Sequence, residues 1–347
     1  MALGLPAIPF VTGTLPAVGG TIRACPEDFR VEEIPAYLPC GSGDHLYLKV
    51  EKRLLSTRDV ATALAGAAKV PPREVGFAGQ KDRDAVTVQY FSVPVTGAGG
   101  IENIDLEGAR VLSRDRHTNR LKTGHVLGNR FRIVLSGVGP GALEAARDIV
   151  ASINAHGIPN AFGPQRFGRE GQTASDGLRL IADPRRGPGA RDRYRRKLNI
   201  SAAQALLYNH YLAERAGDDL LRVMLAGDVA KKTETGGMFV VDDVSEAQAR
   251  LEAREIVHAG PVFGRKTFAA GGVAAEREAR VLAAYGLEPR AFQPFGKLAL
   301  GTRRANLIYP EGLAVSPHPR GIELSFVLPS GAYATVVMRE FVREELR

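Results

Sequence analysis

The placement of strand-like segments along the chain constrains this sequence more than any other feature. Residues 20–51, "GTIRACPEDFRVEEIPAYLPCGSGDHLYLKVE", alternate apolar and polar side chains around turn residues, the period-two pattern of an antiparallel sheet. Strand patterns recur in "AVTVQYFSV" at 85–93 and "NRFRIVLSGV" at 129–138. From about Pro159 the texture turns helical, in runs such as "SAAQALLYNHYLAERA" and "SEAQARLEAREIVHAG", and strands return only near Leu307, through "GIELSFVLPSGAYATVVMREFV". A strand without neighbours leaves a row of backbone donors and acceptors unpaired, so the last strands need partners made much earlier. An α+β protein follows, with one sheet domain interrupted by an insertion. Residues 1–156 are expected to form its first part, 157–305 a mostly helical inserted domain and 306–347 its C-terminal strands, and 347 residues suffice for both cores.

Several function classes fall away on composition. No apolar run approaches the ~18 residues of a membrane span. The apolar start "MALGLPAIPFVTGTLPAVGG" lacks a basic n-region and is broken by proline and glycine, so neither a signal peptide nor an anchor is read there, and a cytoplasmic protein is expected. Cys25 and Cys40 have no CxxC spacing and no nearby histidine pair, so no zinc site is expected. The net charge of +8 points to a polyanionic partner.

That charge is concentrated. "SRDRHTNRLKTGH" at 113–125 holds Arg114, Arg116, His117, Arg120, Lys122 and His125 against the single acid Asp115. "DPRRGPGARDRYRRKLN" at 183–199 holds six arginines, a lysine and Tyr194, broken by Pro184, Gly187, Pro188 and Gly189, and reads as a loop free to reach phosphates. Two such patches predict binding that weakens strongly with salt.

Chemistry is concentrated in "GFAGQKDRDAVTVQYFSV" at 76–93. A helix, "STRDVATALAGAAKV", capped by Ser56 or Thr57, precedes it. Strands flank it, the second with Val86, Val88 and Tyr90 on one face and Thr87, Gln89 and Phe91 on the other, so the charges of "KDRD" occupy a connection at a sheet end. A cation beside a carboxylate favours its ionised form, which serves as general base or nucleophile. Asp82 and Asp84 as a metal pair, or the whole tetrapeptide as a salt-bridged turn, are the alternatives. A lone DxD interleaved with Lys81 and Arg83 makes a poor magnesium site.

The same segment resembles the "GxKDrxAvTxQ" motif of the TruD family of tRNA pseudouridine synthases. Five more segments agree in order: "PEDFRVEEI" (26–34), "GDHLYLKVEK" (43–52), "RLKTGHVLGNRF" (120–131), "NAFGPQRFG" (160–168) and "LPSGAYATVVMREF" (328–341). The resemblance implies a pseudouridine synthase domain with a mixed, largely antiparallel sheet, permuted in chain order, and an inserted TRUD domain. It implies isomerisation of uridine to pseudouridine in tRNA, with position 13 the usual bacterial target, by a monomer with no cofactor or metal. Asp82 matches the family's catalytic aspartate, and the two routes open to it are attack at C1′ and removal of a ribose proton. Arg23 stands at the family's basic position. Phe29, Asn129 and Tyr333 match the uracil pocket, Tyr333 replacing the phenylalanine expected there, and Phe131 lies two residues beyond Asn129 on the same strand face. Arg166 and Arg169, in "NAFGPQRFGREGQT", are read either as lining for an RNA cleft or as a hinge. The rival readings are a noncatalytic RNA-binding protein and a metal-dependent nuclease.

Overall fold

The computed structural model describes residues 4–97, 101 and 106–343. In chain order the first elements are β1 (Phe29–Pro35), β2 (His45–Arg53), α1 (Thr57–Ala68), β3 (Gly76–Phe77), β4 (Val86–Pro94), β5 (Ala109–His117), β6 (Val126–Ser136) and α2 (Ala142–His156). There follow β7 (Ile158–Pro159), α3 (Gln172–Ala182), α4 (Arg193–Gly217), β8 (Val229–Lys232), β9 (Met238–Val240), α5 (Val244–Glu252), β10 (Ile256–Val262), α6 (Gly272–Ala284), β11 (Thr302–Ala305) and β12 (Leu307–Ile308). The last are β13 (Glu311–His318), β14 (Gly321–Pro329) and α7 (Ala334–Val342).

The chain divides into two compact units. One, the sheet unit, comprises Leu15–Ala151 and Pro310–Ala332; the other comprises Met1–Thr14, Ser152–Tyr309 and Tyr333–Arg347. The sheet unit is an eight-stranded mixed sheet in the order β13-β14-β6-β1-β4-β2-β5, with β3 on β4. The late strands find their partner in β6, which β14 pairs antiparallel from Gly321↔Ser136 to Pro329↔Gly128. Among these pairs only β1 and β4 run parallel. One sheet face is covered by α1, whose Val60, Leu64 and Ala68 pack on Leu48, Val50, Phe91 and Val93. Ser56 caps α1: its Oγ accepts from Asp59 N, while Asp59 Oδ2 accepts from Ser56 N at 2.7 Å.

The second unit is mostly helical and also holds a small sheet, β11-β10-β8-β9, which helical periodicity concealed. Three sequence expectations change. "SEAQARLEAREIVHAG" is helix only through Glu252; Arg254 takes a left-handed φ of 60° and the β-branched Ile256 and Val257 begin β10. "ATVVMREFV" reads as strand through its valines, yet it is α7, buried all round, so no periodicity marked it. The arginine-rich stretch is loop only to Asp192, whose Oδ1 caps α4, so Arg193 to Lys197 are helical.

Candidate active site

Parallel pairing of β1 and β4 puts the segments entering both strands at the same end of the sheet, with Arg30 opposite Val86. Arg23 precedes β1 and Asp82 precedes β4. Arg23 Nη2 donates to Asp82 Oδ2 at 3.0 Å, and Asp82 keeps about half its side chain, 54%, exposed. Arg23 holds a left-handed φ of 61°, a costly conformation for a residue with a side chain and one found at functional sites.

The charges of the loop separate into different tasks. Lys81 turns inward, its Nζ 2.7 Å from Glu33 Oε2 on β1, with both side chains almost wholly removed from solvent. Arg83 donates to Leu54 O at 3.4 Å, and Asp84 is exposed. Backbone groups of the loop are held separately. Thr57 Oγ1 accepts from Lys81 N at 2.9 Å and donates to Gln89 Oε1 at 2.8 Å, while Gln89 Nε2 donates to Gly79 O. Lys52, fully buried, donates from Nζ to Asp82 O at 2.8 Å and to Leu55 O at 2.6 Å. Burial pushes the Lys52 ammonium down to about 8, against the opposing pull of the Asp82 charge.

An aromatic row extends from this pair. The Arg23 guanidinium lies over the Phe29 ring at 4.1 Å; Phe29 meets Phe131 edge-on at 6.2 Å, and Phe131 stacks with Phe326 at 5.3 Å. Phe29 is only 1% exposed, so its ring is enclosed with the guanidinium across it. Phe131 sits on β6 opposite Val31, and Asn129, two residues earlier, opposite Glu33. Among the described residues Asn129 Oδ1 is buried without a hydrogen-bond partner, an acceptor suited to an N–H that these residues do not supply. The turn bearing the loop before β1 is anchored by Asp28, whose buried carboxylate accepts from Arg320, between β13 and β14, and from Cys25 N.

Arg23, Phe29, Asp82, Asn129 and Phe131 are thus linked through neighbouring strands of the sheet unit. Tyr333 belongs to the other unit, where its ring meets Phe162 at 6.0 Å. Arg166 there donates to Ser201, and Arg169 is exposed beside Glu170. Half of the first basic patch is β5, an edge strand, where charge protects unpaired backbone from foreign strands. Thr57 was read only as an alternative cap to Ser56, and Lys52, Gln89 and Glu33 received no role from sequence. Their signal was nonetheless present: polar residues at positions where strand alternation demands apolar ones, Gln89 beside Phe91 and Lys52 after Leu48 and Val50.

The TruD family model, described as tRNA pseudouridine synthase D, matches residues 8–186 and 190–341, breaking inside the arginine-rich loop. The tRNA pseudouridine synthase D of Anaeromyxobacter dehalogenans (strain 2CP-C) is 48% identical over 341 residues, 97% of each chain. That of Thermus thermophilus is 41% identical over 338 residues, 97% of this chain and 92% of the relative. A crystal structure from Methanosarcina mazei, described as a putative tRNA pseudouridine synthase D, superposes with a TM-score of 0.75 at 25% identity, covering 97% of both chains.

Proposed function

The chain belongs to the TruD family of tRNA pseudouridine synthases, and on that premise we propose that Asp82 is the carboxylate with which it isomerises uridine to pseudouridine in tRNA, at position 13 and without cofactor or metal. The observation that carries the reading is the Arg23–Asp82 pair at 3.0 Å, exposed at the sheet end and backed by a fixed loop.

The N1–C1′ bond breaks, the freed uracil turns, a C5–C1′ bond forms, and the C5 proton leaves to solvent while N1 gains one. Asp82 acts in its ionised form whether it attacks C1′ or takes a ribose proton, and Arg23 Nη2 holds its Oδ2 at 3.0 Å. The target base leaves its stack at a cost of a few kcal/mol. Asn129 Oδ1, lacking a partner among the described residues, accepts from uracil N3–H. Phe29 and Phe131 form the wall behind the base, and for uracil to stack on Phe29 the guanidinium of Arg23 moves aside or itself becomes the stacking surface.

The test is tritium release from C5-labelled tRNA transcript, in excess chelator, by wild type and Asp82→Asn, followed by mapping of the modified position. Wild type is expected to release tritium and leave full-length RNA modified at one site; Asp82→Asn is expected to show no turnover with RNA affinity within a few fold. Activity retained by Asp82→Asn sinks the assignment, and activity lost to chelator sinks the metal-free reading.

A further inference from the structure

The arginine-rich loop and the first turns of α4 remain unused by this chemistry. Arg185, Arg186, Arg191, Arg193, Arg195 and Lys197 are exposed, and the half-buried Arg196 carries its guanidinium 5.0 Å from the Phe295 ring centre. Among the described residues none of these seven cations pairs with a carboxylate. The two acids in the stretch serve the backbone instead: Asp183 Oδ1 accepts from Arg185 N and Arg186 N, and Asp192 Oδ1 from Tyr194 N and Arg195 N.

The loop is also held in shape, although its composition suggests otherwise. Asn199 Nδ2 donates to Pro188 O at 3.1 Å, and Gly187 N donates to Asp183 O. Gly187 lies so close to α3 that a Cβ there would stand 2.4 Å from the Leu180 Cα. Among these cations Tyr194 is 66% exposed, and Leu198, one turn on along α4, is 41% exposed. An aromatic ring left largely open to solvent, among cations without carboxylate partners, is a suitable surface for a nucleobase flanked by phosphates.

We propose that this surface binds single-stranded RNA, with an unpaired base of the tRNA stacked on Tyr194 and the neighbouring phosphates held by Arg185, Arg186, Arg191, Arg193 and Arg195. This deepens the tRNA reading above and rests on it. The surface adds affinity without touching the chemistry, so it acts on KM and leaves kcat alone.

Three variants of the full chain test it against unmodified tRNA transcript: Arg185→Gln/Arg186→Gln/Arg191→Gln, Tyr194→Ala, and Tyr194→Trp, the last giving a chain that otherwise has no tryptophan a single indole fluorophore. Binding is measured over a range of salt, and turnover by tritium release. Loss of three phosphate contacts is expected to reduce the slope of log affinity against log salt by about 2 to 3 and to raise KM with kcat unchanged. The Tyr194→Trp fluorescence is expected to be quenched by the transcript, and Tyr194→Ala to weaken binding about 5- to 100-fold with the salt slope unaltered. An unchanged slope in the triple variant, or no quenching on a transcript that binds, overturns the proposal. Absence of turnover in wild type would count against the isomerase reading instead, and the binding arms report independently of it.

Discussion

Lys52 shows how a residue remote from any substrate governs a site. Its ammonium is the donor for the Asp82 carbonyl, so it fixes the main chain at the carboxylate proposed to react and is, on that proposal, a positioning residue. Lys52→Met leaves two carbonyls without that donor. We expect kcat to fall roughly tenfold or more with KM little changed, the factor that ~1.4 kcal/mol of lost positioning represents. The pH dependence has a definite sign. The folded state holds Lys52 at about 8, whereas an unfolded lysine stays protonated to about 10.4, so between these values the unfolded chain binds more protons and stability rises with pH. Urea unfolding of wild type relative to Lys52→Met should therefore gain on the order of 1 to 3 kcal/mol from pH 8 to 10 and change little below pH 7. The motif around Asp82 was legible in the sequence because it is local. Lys52 was not, because its meaning depends on a carbonyl 30 residues away.

At the level of elements, the proposed site depends on how closely β6 and β14 approach beside Asn129. Gly128 faces Pro329 in the ladder, and a Cβ at 128 would stand 2.4 Å from Leu328 O, a backbone atom that cannot turn away. Gly128→Ala is expected to cost about 1–3 kcal/mol of overpacking strain, read as a lower urea midpoint at unchanged m-value, and to lower kcat through Asn129. Strand β6 and helix α1 were legible because each shows a period over a half-buried surface; β4 was legible as a strand, but its alternation did not tell that Thr87 and Gln89 are on a buried face. Helix α7 was not legible, since burial on every side erases the period that distinguishes helix from strand. Lys81 and Glu33 mark a second limit: nothing in the local sequence tells that the two meet, and the pairing of β1 with β4 encloses them.

On the scale of the molecule, the demand that late strands find early partners was readable from the pattern, and the pairing of β14 with β6 answers it. The small sheet around β10 was hidden because its strands other than β10 are only three or four residues long and lie among helices. The pairing carries a consequence for biosynthesis. Ser136 ends β6 and its partner Gly321 opens β14, so a ribosome must add about 185 residues before that edge is closed, roughly 10 to 40 s at ordinary translation rates. Through that interval Phe131, Ile133 and Leu135 lie along an unpaired edge that invites association with other nascent chains. Chains halted at Tyr309 are expected to sediment as aggregates or remain bound to chaperone, whereas full-length chains remain dispersed. The last strands to leave the ribosome thus decide whether everything synthesised before them is kept or discarded.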